Sequence, residues 1–157
     1  MGFLAGKKIL ITGLLSNRSI AYGIAKACHR EGAELAFTYQ NDRFKERIAK
    51  FAEEFGSTLT FQCDVSVDAE IDQLYADLGK HWDVLDGLVH SIAYAPSEAI
   101  EGDFLDGITR DAFRIAHDVS SYSFPALVKG ARPLLLKSKG ASVLALTYLG
   151  AERTMPN

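Results

Sequence analysis

Cysteine is scarce: Cys28 and Cys63 are the only two in 157 residues. Neither lies in a CxxC or histidine-rich spacing, so they read as reduced, mostly buried thiols, and no metal site is expected. Long apolar runs are missing as well. None approaches the roughly 20 residues of a membrane span, and Met1-Gly2-Phe3-Leu4 lacks the apolar stretch of a signal peptide, which predicts a cytosolic chain. There is no excess of positive charge: 17 Lys and Arg stand against 20 Asp and Glu, for a net charge of −3. Without a basic stripe interleaved with aromatics, nucleic-acid binding is not expected. Internal repeats, low-complexity tracts and linkers are also absent. What remains, 48% hydrophobic and 24% charged residues, is the composition of one soluble globular domain over 1–157.

The glycine fingerprint of a dinucleotide turn is incomplete too. G-x-G-x-x-G from Gly13 would need glycine where this chain has Leu15 and Arg18, and only the more distant Gly23 follows. Yet residues 8–23 have the right sequence of parts. Ile9, Leu10 and Ile11 are an unbroken apolar run, as in a strand covered on both faces, and Thr12-Gly13 ends it. Ser16, Asn17 and Ser19 are each able to cap a helix in which Ile20, Ile24 and Ala27 recur at helical spacing. Backbone N–H groups and the positive end of a helix dipole then face whatever lies above Gly13, an environment that suits a pyrophosphate. Alone, the stretch is equally compatible with an ordinary strand-to-helix turn.

Strand candidates at 8–12, 34–39, 58–63, 87–91 and 142–147 alternate with helical patterns at about 19–31, 42–55, 67–80 and 111–137. That alternation predicts an α/β fold, a doubly wound, Rossmann-like parallel sheet of order 3-2-1-4-5. Pro125 and Pro133 each remove a donor from the last helix, so a kink or break is expected there. The Pro- and Gly-containing, acidic stretch 95–110 reads as a loop over the strand ends.

In such a sheet the ligand crevice opens where the winding reverses, at the carboxyl ends of strands 1 and 4. Strand 2 ends at Gln40, a neutral amide where a carboxylate commonly meets an adenosine ribose; Arg43 and Lys45 are near, so these residues leave NADH and NADPH both open. Strand 3 ends in Asp64-Val65, able to meet an adenine edge, although Asp64 or Ser66 serves equally as a helix cap, the reading favoured from the residues alone. Strand 4 runs into His90-Ser91-Ile92-Ala93, whose small residues admit a cofactor; His90 itself reads as structural.

These residues together resemble the bacterial enoyl-acyl-carrier-protein reductases of type II fatty-acid synthesis, a divergent branch of the short-chain dehydrogenase/reductases. The resemblance runs the length of the chain. It is carried by Gly13 with Ser19-Ile20-Ala21-Tyr22-Gly23, by 30–40, by Cys63-Asp64-Val65, by His90-Ser91-Ile92-Ala93, by Ile115-Ala116-His117-Asp118, by Ser120-Ser121-Tyr122-Ser123 and by 147–153. It implies NADH as cofactor, with Gly13, Ser19 and Ile20 at the pyrophosphate and Gln40 at the adenosine end. Asp64 and Val65 would then hold adenine, and Ser91, Ile92 and Leu146 would border the nicotinamide riboside. Ala95 and Tyr148 match substrate positions, Tyr148 being the first of two active-site tyrosines. Ala93 departs from an expected glycine. The second tyrosine and a lysine of the family fall beyond Asn157, so the chain reads as the N-terminal portion of a longer, homotetrameric reductase.

The chemistry so implied is hydride addition to the β-carbon of a trans-2-enoyl thioester carried on acyl carrier protein, with a phenol stabilising charge on the thioester oxygen. A carbonyl reductase of the same superfamily is disfavoured by Tyr148 and by the lack of an Asn-Asn-Ala-Gly signature near strand 4. A third reading is a truncated, non-catalytic dinucleotide-binding or assembly module. Residues 1–157 alone are expected not to turn over substrate.

Overall fold

All five predicted strands form in the computed structural model, which describes residues 2–153. Met1, read above for a leader, and the Pro156-Asn157 end lie outside the described residues. The elements run β1 (Lys8–Ile11), α1 (Ile20–Arg30), β2 (Glu34–Tyr39), α2 (Asp42–Glu54), β3 (Thr60–Gln62), α3 (Asp68–Leu78), β4 (Gly87–His90), α4 (Phe104–Gly107), α5 (Arg110–His117), a π turn (Asp118–Tyr122), α6 (Ser123–Leu135) and β5 (Ser142–Ala145). Every strand pairing is parallel and the order is β3-β2-β1-β4-β5.

Alternate residues of the central strands feed two separate cores. Leu10, Ala36 and Leu88 meet α3 and α6 through Ile71, Leu74, Leu78, Leu127 and Ala131. Ile9, Ile11, Leu35, Phe37 and Val89 meet α1 and α2 through Ala21, Ala25, Ile48, Ala52 and Phe55 on the opposite face. Leu10, Ile11, Phe37 and Leu88 are almost wholly buried. At about 1.5–3 kcal/mol for each such side chain, they outweigh the surface ion pairs, which contribute about 0–1 kcal/mol apiece. At the amino ends of the strands Asp86 ties the sheet together. Its carboxylate accepts from Lys7 Nζ (2.9 Å), Lys8 N–H (3.1 Å) and Ser138 Oγ (2.7 Å).

Two expectations change. The stretch 95–110 is not all loop: it holds a 3-10 turn at Ser97–Ala99 and the short helix α4, started by Asp103 accepting from Leu105 N–H. The long helix does not break at its prolines but runs on without a gap from Arg110 to Leu135. It changes register through the π turn, in which Ser123 N–H bonds Asp118 C=O five residues back. Pro125 follows at the third position of α6. It offers no N–H to the Ser121 carbonyl and crowds it, so a widened turn just ahead of it is the less strained path. Pro133 sits two residues before α6 ends, where few downstream bonds depend on it.

Candidate functional site

Above the carboxyl ends of β1 to β4 a cleft of about 690 Å³ opens. Its floor is Gly13, Leu14 and Leu15 after β1 and Ser91 to Tyr94 after β4; one side is Thr38 to Gln40 with Cys63 to Ser66. Arg114, Ile115, Asp118 and Val119, from α5 and the π turn, stand across from them. The volume falls in the range of small-molecule and cofactor sites.

Gly13 is fixed by its neighbour. Its φ is +78°, in the left-handed region, and a Cβ there would run into the Ser91 carbonyl. The β1 turn therefore lies directly on the β4 exit, and this close approach forms the cleft floor. Ser19 occupies the cap position of α1 but makes no capping bond to the helix. Its Oγ instead accepts from Leu15 N–H (3.2 Å) and Ser16 N–H (3.0 Å), closing the turn that precedes the helix. Two donors expected to face a phosphate are thereby taken. Ile20 and Ala21, heading α1, bring N–H groups from a first helical turn, which lack intrahelical acceptors.

Gln40 and Asp64 are joined. Gln40 Nε2 donates to Asp64 Oδ2 (3.0 Å), while Asp64 Oδ1 accepts from Ser66 N–H (3.0 Å) and Ser66 Oγ (2.6 Å). Burial pushes the Asp64 carboxyl up, but the Ser66 and Gln40 hydrogen bonds outweigh it and hold the group below the ordinary carboxylate range. Asp64 is thus an ionised acceptor at neutral pH, holding one of the two amide N–H groups of Gln40. The helix-cap reading of Asp64 and Ser66 is corrected: α3 starts after Val67, and Asp64 closes its own turn. Glu70, from the first turn of α3, accepts from Asp64 N–H (2.7 Å). Beside them the Cys63 thiol is pushed up to about 12 by burial and by the Glu70 and Asp64 charges, so it stays protonated and is no nucleophile. Cys28 is half-buried rather than mostly buried.

The structure gathers Gly13, Gln40, Asp64, Val65, Ser91 and Ile92 on one wall system. Ser19 and Ile20 stand at the head of α1. Ala95 lies just past the cleft lining, and Leu146 is half-buried beyond β5, its N–H donating to His90 C=O (3.1 Å). Tyr148 is 72% exposed, ahead of a 3-10 turn at Leu149–Ala151, with its ring over Gly150. Sequence reasoning missed Arg114 and Asp118 as walls. The signal was available: residues 114, 115, 118 and 119 share one helical face, but the sequence reading of that helix rests on its prolines and on the resemblance at 115–118 and 120–123, not on a face turned to the cleft. Among the described residues no group of three or more His, Cys, Asp or Glu is placed to hold a metal, and no helix is long and apolar enough to cross a membrane.

Known proteins share both sequence and shape with this chain. Residues 13–157 match the family model described as enoyl-(acyl carrier protein) reductase. The enoyl-acyl-carrier-protein reductase (NADH) FabI of Neisseria meningitidis serogroup B is 62% identical over all of this chain and 60% of its own length. That of Escherichia coli K12 is 57% identical over all of this chain and 59% of its length. The crystal structure of the Aquifex aeolicus enoyl-acyl-carrier-protein reductase (NADH) superposes with a TM-score of 0.95 at 47% identity, covering 99% of this chain and 66% of that one. The chain thus spans about 60% of the length of the curated relatives it matches. With its parallel sheet, its cleft and its sequence all in agreement, the chain belongs to the enoyl-(acyl carrier protein) reductase family.

Proposed function

We propose that residues 1–157 form the dinucleotide-binding portion of an NADH-dependent enoyl-acyl-carrier-protein reductase. The observation that carries this reading is the cleft where the winding reverses, with the β1 turn seated at Gly13 on the β4 exit at Ser91. The donor set fits such a cofactor. First-turn N–H groups at Ile20 and Ala21, with Gly13 and Ser19 shaping the turn, suit a pyrophosphate. The Gln40 carbonyl oxygen accepts from a ribose hydroxyl, and its neighbour Asp64 would repel a 2′-phosphate, which favours NADH over NADPH. Asp64 and Val65 serve the adenine, and Ser91, Ile92 and Leu146 the nicotinamide riboside.

A bound nicotinamide would supply the hydride that reduces a trans-2-enoyl thioester on acyl carrier protein. Tyr148 carries a phenol suited to donating to the thioester oxygen as charge builds there, and Ala95 would lie along the acyl chain. The relatives named for NADH and acyl carrier protein support this assignment. A cytoplasmic homotetramer completes the reading, and its assembly is supported by the exposed Phe113, Tyr122 and Leu136 along α5, the π turn and α6.

Calorimetric titration tests it. The folded protein should bind NADH more tightly than NADPH, and Asp64→Ala should weaken NADH binding by roughly tenfold through loss of a charged acceptor. A folded chain indifferent to NADH overturns the proposal. In a crotonyl-thioester assay of the full-length enzyme, Tyr148→Phe should lower turnover by about 10²–10³, the usual effect of one lost oxyanion donor. Unchanged turnover would show that Tyr148 is not that donor.

A further inference from the structure

His90 is 3% exposed at the end of β4, with its Nε2 2.7 Å from Ser123 Oγ. Ser123 Oγ also lies 2.6 Å from the Val119 carbonyl four residues back. A serine hydroxyl has one proton, and a carbonyl can only accept, so that proton goes to Val119. With the Ser123 proton directed at Val119, the network assigns the His90 proton to Nε2, donating to Ser123. Burial holds the imidazole below its ordinary value, partly opposed by its own backbone carbonyl, so the ring is neutral at pH 7. The chain of donors thus runs in one direction, from β4 to Ser123 to the carbonyl of Val119, inside the π turn.

A second clasp lies three residues earlier. Ser120 Oγ accepts from Tyr94 N–H (2.9 Å) and donates to Tyr94 C=O (3.0 Å). Both clasps join the β4 exit to the π turn, and both of those segments are walls of the cleft. His90 also holds the third neighbour, since its carbonyl accepts from Leu146 N–H. Pro125 removes one backbone bond just after the turn, and these side-chain clasps add to the remaining backbone bonds in holding the turn against the β4 exit.

We propose that His90 is a positioning residue: by donating through Ser123 to Val119 it fixes the π turn, with Asp118 and Val119, at one distance from the β4 exit, and so sets the width of the cleft. Its consequence for dinucleotide affinity rests on the function proposed above; the placement of the turn does not.

Three variants of the chain decide it. His90→Leu removes the donor, Ser123→Ala removes the relay while keeping the helix, and His90→Gln keeps a donor of similar reach. Hydrogen exchange at residues 118–123 should accelerate roughly tenfold in the first two, the usual effect of a lost buried hydrogen bond, and return toward wild type in His90→Gln. NADH affinity should follow the same order, with melting still cooperative. If His90→Leu does not fold, Ser123→Ala carries the same comparison. Unchanged exchange in Ser123→Ala, or His90→Gln as impaired as His90→Leu, overturns the positioning role. Exchange that responds as stated in a protein that does not bind NADH confirms the clasp and overturns only the function.

Discussion

Gly13 carries two constraints at once, a left-handed φ and a missing Cβ against the Ser91 carbonyl. Gly13→Ala should therefore lower the melting temperature by an amount equivalent to about 1–3 kcal/mol, before any ligand is added. A wild-type melting temperature would show that the turn and the β4 exit separate freely. It also follows that a bulky variant at Gly13 is a poor probe of phosphate contact, because the floor of the cleft moves first. How much of the site was legible varied by residue in the same physical way. Gly13, Gln40, Asp64 and Ile92 sit at strand ends, which sequence periodicity locates well. Tyr148 was named from its neighbours in sequence, yet its exposed ring over Gly150 depends on local turn geometry that periodicity does not encode.

Between elements, close contact decides the sign of a substitution. Gly130 in α6 faces Tyr75 of α3, whose ring Cδ2 would stand 2.6 Å from an added Cβ. Helix propensity alone predicts that Gly130→Ala gains about 1 kcal/mol. Overpacking against a buried ring costs about 1–3 kcal/mol, so the variant should unfold at lower urea. A higher midpoint would mean that α3 and α6 separate easily. Asp86 gives a pH-dependent case. Burial raises its carboxyl, but Ser138, Lys8 N–H and the Lys7 ammonium hold it below the ordinary range. A carboxylate depressed in the folded state contributes stability above its unfolded value, about 3.9, and loses it as pH falls through the lower folded value. Asp86→Asn should therefore flatten the loss of stability in urea melts between pH 5 and 2, and an unaltered acid limb would exclude this role. The strands and the first three helices were readable because continuous apolar runs and 3.6-residue spacing are local properties. The π turn was not, since it combines Pro125 with bonds between Ser123 and His90 of β4 and between Ser120 and Tyr94 beyond it, partners distant in sequence.

Across the whole molecule protection is uneven. β1, β2 and β4 lie between covered faces, whereas Val143 and Leu144 of β5 are 43% and 46% exposed, and β5 pairs only with β4 among the described residues. Amide exchange should be slowest in β1 and β4 and markedly faster in 97–108; equal protection in 97–108 and β1 would contradict this gradient. The two cores carry a different consequence. Leu10 and Ile11 are adjacent in sequence, yet their side chains enter compartments divided by a layer of backbone. Packing defects on opposite sides then have no shared cavity through which to compensate or compound one another. Ile48→Val beneath the sheet and Leu127→Ala above it should destabilise independently, their effects summing to within about 0.5 kcal/mol in the double variant, while pairs within one compartment should not. The sheet acts as a thermodynamic insulator, so this chain tolerates change in one half without retuning the other.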